Sequence, residues 1–365
     1  MPMEQKAERR GLLLLVAIAM CALAIASPSR AADWTPALQK IIAAAKEEGK
    51  LTLGTPVNVD GGAAGSKVVE AGIATMFGVK LDTEWTPAPA FAQMAAKLQQ
   101  EFAAKLKAST DVYFGAAPQL GPYIDGDLFQ KVAWAELWPD RITDDMVERG
   151  RSLRFETFLP GILYNVNAAP WVKDIKVLAD VLKPEFKGKF ATTPYLSGFD
   201  ALVAESAWGK VKTADFVKQL AGQISGLLAC SGTDRMASGE VPALVLDCSG
   251  SAQNVARYRT VLDTKIPSDV AMRRQLYVQV PSHAAHPNAG ILAALYLASP
   301  AGQHDVALVL DGIDGDGYPE TWAHRRVAAL QQEGAKFLDV NIAWWKSNPA
   351  VDSDFSDLVK IVQQN

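Results

Sequence analysis

Beyond residue 34, the chain alternates between segments whose apolar residues recur at helical spacing and short runs that are mostly apolar. The first helix is predicted at 36–48, because Thr35 suits the N-cap position, Pro36 the first turn and Gly49 the C-terminal cap. A strand is predicted next, at 50–55. Further helices are predicted at 67–77, 91–106, 199–208, 213–222, 288–298, 300–310 and 321–334, and further strands at 79–85, 111–115, 161–165, 227–230 and 243–247. This order predicts an α/β protein with mostly parallel sheets flanked by helices.

The first 31 residues have the pattern of a secretory signal peptide. Three basic residues within the first ten are followed by an uncharged apolar run at 11–26. That run is shorter than the ~20 residues that a membrane-spanning helix needs. Small residues at Ser29 and Ala31 suit cleavage before Ala32. We therefore predict that residues 1–31 are removed and that the mature protein works in the periplasm.

The composition fits a folded protein of two domains that binds no nucleic acid. The 365 residues are 49% hydrophobic and 21% charged, and a domain holds roughly 100–200 residues. The net charge is −4, so the chain lacks the cationic excess that neutralises a phosphate backbone. It also lacks a linker rich in Pro or Ser. The chain is therefore expected to pass between its domains inside secondary structure.

Motifs of exported enzymes are missing from the sequence. There is no G-x-S-x-G nucleophile elbow and no H-E-x-x-H zinc motif. Two of the four histidines, His283 and His286, have helical spacing, but Pro287 disfavours a helix through both. We therefore predict no catalytic residue, no metal site and no cofactor.

Three polar segments each follow a predicted strand or precede a predicted helix, at 194–199, 231–233 and 247–250. In an open α/β sheet, ligands bind beyond the carboxyl ends of the strands, where helix N-termini supply hydrogen-bond donors. Each segment alone is also typical of an ordinary helix cap. Together they predict a small-molecule cleft lined by hydroxyl groups and backbone amides.

Several motifs resemble one protein family. They are the segments 285–289 (AHPNA) and 297–303 (LASPAGQ), the opening helix and strand at 37–55, and the segments 111–115, 163–167, 182–189 and 237–242. Taken in their order along the chain, they resemble the extracellular solute-binding proteins of ABC importers, in the iron, polyamine and phosphonate branch of the type II periplasmic binding proteins. The resemblance spans essentially the whole mature chain.

This resemblance implies two α/β lobes, joined by crossover strands, that close on one solute at the hinge. The first lobe would hold residues 32–116 and 266–315, and the second residues 117–265 and 316–365. The positions that match the family's ligand-contacting loops are Thr55, Pro56, Gly115, Ala116, Ser197, Gly198, Ser231, Gly232, Asp247 and Cys248. The implied partners are a small-molecule solute and an ABC permease in the inner membrane, and the protein is expected to be a monomer.

The chain departs from the iron-binding members of the family. Those members present adjacent tyrosines in the region that corresponds to 247–254, and a His in the first loop, which corresponds to 55–58. Neither is present here, and Fe(III) requires anionic oxygen ligands. A polar or anionic organic solute is therefore expected. Ser197 and Ser231 at helix starts favour an anion, whereas Asp247 would suit an ammonium group.

The apolar part of such a solute is expected to pack against an aromatic ring. The candidates are Tyr164, Tyr195 and Phe199, for each of which ordinary core packing is the alternative. Two other functions remain open: an exported hydrolase or lyase on the same scaffold, and a ligand-sensing subunit of a membrane receptor. The first would need a nucleophile and a base in the cleft, and histidines are scarce outside the family motif.

Two cysteines remain after signal cleavage, Cys230 and Cys248. Both end apolar strands, which would be neighbours in a sheet of this type, and disulfides persist in the periplasm. We predict a disulfide between them. The alternative is two free thiols, one of them facing the ligand.

Overall fold

The computed structural model describes residues 34–56, 62–88, 91–309 and 313–364. The predicted signal peptide at 1–31 lies outside these ranges. Within them, no helix is both long enough and apolar enough to cross a membrane.

Strands and helices alternate along most of the chain. The strands are β1 (Lys50–Pro56), β2 (Asp82–Ala88), β3 (Tyr113–Ala116), β4 (Val147–Glu148), β5 (Ser152–Phe158), β6 (Ile162–Asn165), β7 (Phe190–Thr192), β8 (Gly226–Leu227), β9 (Ala243–Val245), β10 (Leu262–Lys265), β11 (Met272–Gln279) and β12 (Leu338–Val340). The α-helices are α1 (Pro36–Glu48), α2 (Gly62–Phe77), α3 (Phe91–Ala103), α4 (Ala117–Leu120), α5 (Trp134–Leu137), α6 (Phe199–Leu202), α7 (Lys210–Ala221), α8 (Thr233–Ala237), α9 (Pro287–Leu297), α10 (Pro300–Val309), α11 (Trp322–Gln332), α12 (Ile342–Ser347) and α13 (Val351–Gln363). Single 3-10 turns occur at Asp144–Met146, Pro170–Asp174, Leu178–Leu182, Pro184–Phe186, Cys230–Gly232 and Ala252–Asn254.

The first helix has the limits that its capping residues predict. The Thr35 hydroxyl accepts a hydrogen bond from the Leu38 N–H at 3.2 Å, and Gly49 has the left-handed φ of 63° that a helix end favours. The helix predicted at 199–208 is shorter, because α6 ends at Leu202. There the chain turns so that the Trp208 ring packs against Phe216 at a centroid distance of 5.3 Å. Backbone hydrogen bonds close this turn, among them one from the Trp208 N–H to the Leu202 carbonyl at 3.2 Å.

The strands form two main sheets. The first has the order β12-β11-β5-β4, with β3 also paired to β11. The parallel pair of β1 and β2 adjoins β3 through a bridge between Leu53 and Val112. The second sheet has the order β10-β6-β9-β7-β8.

Both sheets are mixed, with more antiparallel pairing than the predicted mostly parallel arrangement. The antiparallel pairs include β5 with β11 in the first sheet and β6 with β10 in the second. The reason is the path of the chain. Strand β5 runs toward the second sheet and β11 runs back from it, so these two neighbours are antiparallel. In the same way β6 enters the second sheet and its neighbour β10 leaves it. The chain therefore passes between the sheets twice, in opposite directions.

The two connections between the sheets are residues 159–161 and 266–271. Leu159 from the first and Ile266 and Ala271 from the second are buried in one apolar cluster with Val327 and Leu330 of α11. The change of sheet occurs at these connections. The lobe boundary predicted at 116/117 lies between β3 and α4. It therefore comes before β4 and β5, which pair within the first sheet.

The segment around residue 286 has a structural role. The Glu48 carboxylate at the end of α1 accepts hydrogen bonds from the backbone N–H groups of Asn288 and Ala289, at the start of α9. The His286 Nδ1 lies 2.9 Å from the Asp111 carboxylate. These contacts fix α9 against α1 and against the chain that leads into β3.

Candidate functional site

The three predicted polar segments lie at one edge of the second sheet. Strand β7 runs parallel to both β8 and β9, so the carboxyl ends of all three strands point the same way. The loops that follow them are residues 193–198, 228–232 and 246–251, which we call the β7–β9 edge. Ligands of α/β sheets bind at edges of this kind.

A disulfide joins two of these loops. Cys230 and Cys248 are bonded, with an S–S distance of 2.01 Å and a Cα–Cα distance of 6.0 Å. The predicted disulfide is therefore present. Tyr195, from the loop at 193–198, contacts both cysteines: its hydroxyl accepts a hydrogen bond from the Cys230 N–H at 2.9 Å and lies 3.6 Å from the Cys248 Sγ.

Two of the four non-glycine residues with positive φ in the described ranges lie at the same edge. Leu196 and Leu246 are buried residues with positive φ values, 46° and 51°, which residues other than Gly, Asn and Asp rarely adopt. Each precedes a predicted site residue, Ser197 and Asp247. The Ser197 N–H donates to the Thr193 hydroxyl at 2.7 Å, which holds the first loop in this conformation. Strain of this kind clusters at ligand-binding sites, where the surrounding structure maintains it.

Asp247 holds the edge to a connection between the sheets and is not free for an ammonium group. Its side chain is buried, and its two oxygens accept hydrogen bonds from the backbone N–H groups of Gly161 and Gly250, at 3.0 and 2.9 Å. Burial raises the pKa of this carboxyl to about 6, although the N–H donors oppose the shift. The prediction that Asp247 receives the solute is therefore corrected to a structural role.

The substitution Asp247→Asn tests this role through the pH dependence of stability. At a pH between about 4 and 6, Asp247 keeps its proton in the folded protein, whereas in the unfolded chain, where its pKa is 3.8, it has released it. Asp247 therefore makes the free energy of unfolding fall as the pH rises from about 4 to about 6, by roughly 2–3 kcal/mol. Urea unfolding of the wild-type protein and of Asp247→Asn at pH 4 and pH 7 measures this change in the free energy of unfolding. We expect a smaller decrease in the variant, and equal decreases would contradict the assignment.

Burial also removes two aromatic candidates. Phe199 is fully buried and packs against Phe216, with the ring centroids 5.9 Å apart. Tyr164 is buried in the same core, and its hydroxyl donates to the Asp263 carboxylate at 3.1 Å. Because β6 runs antiparallel to β9, Tyr164 lies toward the opposite end of the sheet from the β7–β9 edge. Tyr195, which is exposed, is the remaining candidate.

The remaining predicted residues lie at the ends of strands that belong with the first sheet. Thr55 and Pro56 end β1, and Gly115 and Ala116 end β3. The Trp85 Nε1–H, on β2, donates to the Thr55 hydroxyl at 3.0 Å. Trp85 was not predicted, although a single tryptophan near a strand end is a visible signal. We call the ends of β1, β2 and β3 the β1–β3 edge.

The helices that follow the β7–β9 edge are short. Helix α6, after Ser197 and Gly198, has four residues, and α8, after Ser231 and Gly232, has five. An anion is attracted by the summed dipole and the free N–H groups of a longer helix. The expectation that these helix starts favour an anion therefore loses its physical basis.

Comparison with known proteins gives a likeness in structure but none in sequence. No protein-family profile and no curated protein matches the chain. AfuA from Actinobacillus pleuropneumoniae, a periplasmic binding protein with fructose-6-phosphate bound, superposes with a TM-score of 0.64 at 14% identity, over 87% of this chain and 99% of AfuA. The chain has the fold of the periplasmic binding proteins. The predicted two-lobed α/β architecture is therefore confirmed.

Other solved structures of this fold hold different ligands. AgtB from A. tumefaciens R10, in complex with agropinic acid, has a TM-score of 0.63 at 15% identity, over 86% of this chain and 99% of AgtB. Iron-bound HitA from Pseudomonas aeruginosa has a TM-score of 0.58 at 16% identity, over 86% of this chain and 98% of HitA. The fold therefore does not specify the ligand, which has to be inferred from the residues at this chain's own edges.

Proposed function

We propose that this protein is the solute-binding component of an ABC importer, which captures one small polar organic molecule in the periplasm and delivers it to a permease. The observation that carries the proposal is the β7–β9 edge, where three loops bearing hydroxyl groups meet, a disulfide joins two of them, and two buried leucines have positive φ. The fold supports the same function, since the structures it resembles are periplasmic binding proteins.

Binding would occur by closure of two lobes about the connections at 159–161 and 266–271. The first lobe would carry the β1–β3 edge, and the second the β7–β9 edge. The end of the chain would supply a third link between the lobes. Strand β12 belongs to the first sheet, whereas α13 packs against α6 and α7, which lie in the part of the chain that forms the second sheet. Closure between such lobes is the usual motion of this class of protein.

A hydrolase or lyase is less well supported. The β7–β9 edge offers Ser197, Ser231 and Ser249 as hydroxyl groups, but its loops contain no His, Lys or Glu that would act as a general base. Its one carboxylate, Asp247, is fully hydrogen-bonded to backbone. We propose that the solute is released unchanged.

A thermal-shift screen tests the proposed function. The mature protein is heated with fructose-6-phosphate, agropinic acid, glucopine, simple sugars, amino acids and polyamines. A compound at 100 times its dissociation constant adds about 2.7 kcal/mol to the free energy of unfolding, which is a shift of several degrees for most proteins of this size. The proposal fails if no organic compound stabilises the protein.

Removal of metal ions should leave the protein unchanged. Among the described residues, no group of three or more His, Cys, Asp and Glu side chains is placed to hold an ion. Thermal melting before and after dialysis against a strong chelator measures the effect. We expect identical melting temperatures, and a decrease that added iron reverses would contradict the choice of an organic solute.

A further inference from the structure

Tyr195 is an exposed aromatic residue at the β7–β9 edge. It is 44% exposed, and the other large hydrophobic residues exposed to a similar degree in the described ranges are aliphatic. A single exposed apolar residue is common on protein surfaces. Tyr195 is distinguished by how firmly it is held.

Contacts fix Tyr195 at its hydroxyl group and through the residues on either side of it. Its hydroxyl accepts from the Cys230 N–H and donates toward the Cys248 Sγ, because a disulfide sulfur carries no proton. The carbonyl of the preceding residue, Pro194, accepts a hydrogen bond from the Gln363 side chain at 3.0 Å. The following residue, Leu196, is fully buried. A ring fixed in this way loses little conformational freedom when a ligand covers it.

The disulfide is part of this arrangement. The two groups that contact the Tyr195 hydroxyl belong to different loops, one after β8 and the other after β9. Only the bond between Cys230 and Cys248 joins these loops covalently near the tyrosine. Without it, the two loops can separate, and the ring loses one of its two contacts.

The chemistry of the edge indicates which part of a solute Tyr195 would meet. The loops at 193–198, 228–232 and 246–251 contain no Lys, Arg or His. Their one acidic residue, Asp247, has both oxygens occupied. Serine hydroxyls and an aromatic face suit an uncharged group that carries hydroxyls on its rim and C–H bonds on its face, as a sugar ring does.

We propose that Tyr195, held by the Cys230–Cys248 disulfide, is a binding platform for an uncharged, hydroxyl-rich part of the solute. This inference rests on the proposed function. It makes the disulfide a determinant of affinity.

Titration calorimetry of matched variants tests the platform. The probes are D-fructose, fructose-6-phosphate, glucopine and agropinic acid. For each probe that binds the wild-type protein, Tyr195→Ala should weaken binding about tenfold or more, and Tyr195→Phe should weaken it less. Tyr123→Ala, which removes a half-buried tyrosine outside the β7–β9 edge, is the control and should leave the dissociation constant of each probe unchanged.

The disulfide is tested in the same assay with the double variant Cys230→Ser, Cys248→Ser, after circular dichroism has shown that it is folded. It should weaken binding, and adding Tyr195→Ala to it should give no greater loss than Tyr195→Ala alone. Full affinity in Tyr195→Ala, or additive losses, would overturn the proposal.

A measurement without solute separates this proposal from the proposed function. In protein labelled with 3-fluorotyrosine, the 19F resonance of Tyr195 is assigned by its absence in Tyr195→Phe. We expect this resonance to shift and broaden in the double serine variant. An unchanged resonance would overturn the proposal whether or not any probe binds, whereas a failure of every probe to bind the wild-type protein would count against the proposed function.

Discussion

Replacement of Ser231 by tryptophan should abolish solute binding and leave the fold intact. Ser231 is exposed, in the single 3-10 turn Cys230–Gly232 at the β7–β9 edge, so a large side chain there displaces no core residue. An indole would instead occupy the space in which we place the solute. The stabilisation of about 2.7 kcal/mol expected at 100 times the dissociation constant should therefore be lost.

The control for this variant is Ser356→Trp, which places the same side chain at an exposed position of α13. It should bind as the wild-type protein does. Ser231→Ala should retain most of the affinity, because it removes a hydroxyl without filling the site. Normal binding by Ser231→Trp would mean that the β7–β9 edge is not the site.

Replacement of Arg274 by methionine should lower the free energy of unfolding by about 3–5 kcal/mol, the range found when one partner of a buried ion pair is removed. Arg274, on β11, donates two hydrogen bonds to the Asp200 carboxylate of α6, at 2.5 and 2.7 Å. Both side chains are largely buried, at 16% and 14% exposed. Removal of the guanidinium leaves the carboxylate buried without its partner. Urea unfolding of the full mature chain measures the loss.

Two comparisons make the result specific. The double variant Arg274→Met, Asp200→Leu should recover much of the lost stability, because it leaves no buried charge. Arg235→Ala breaks an ion pair of similar length, 2.6 Å to Glu240, whose side chains are more than half exposed. That loss should be below about 1 kcal/mol, because water screens exposed pairs. Equal losses for Arg274→Met and Arg235→Ala would contradict the account.

The sequence predicted what local contacts determine. The limits of α1 follow from Thr35 and Gly49, which lie within or next to the helix they cap. The meeting of the three polar segments followed from a rule about parallel strands, and β7, β8 and β9 are parallel. The disulfide followed from the same rule, because Cys230 and Cys248 are in the loops after two of these strands.

Contacts between distant residues determined what the sequence did not show. Asp247 looked available to a solute, but it accepts a hydrogen bond from Gly161, 86 residues earlier in the chain. The antiparallel pairing of β5 with β11 joins segments more than a hundred residues apart, so no local pattern revealed it. The burial of Phe199, four residues after the exposed Tyr195, likewise depends on packing against Phe216 of α7. The candidate residues were therefore easier to locate than their roles were to assign.

Native mass spectrometry tests the central claim most directly. The mature protein is incubated with each compound that raises its melting temperature, and the mass of the complex and of the recovered compound are measured. The account predicts one molecule bound per chain, recovered with its mass unchanged, and no such complex with Ser231→Trp. Recovery of a compound of altered mass, or a complex that persists in Ser231→Trp, would contradict it.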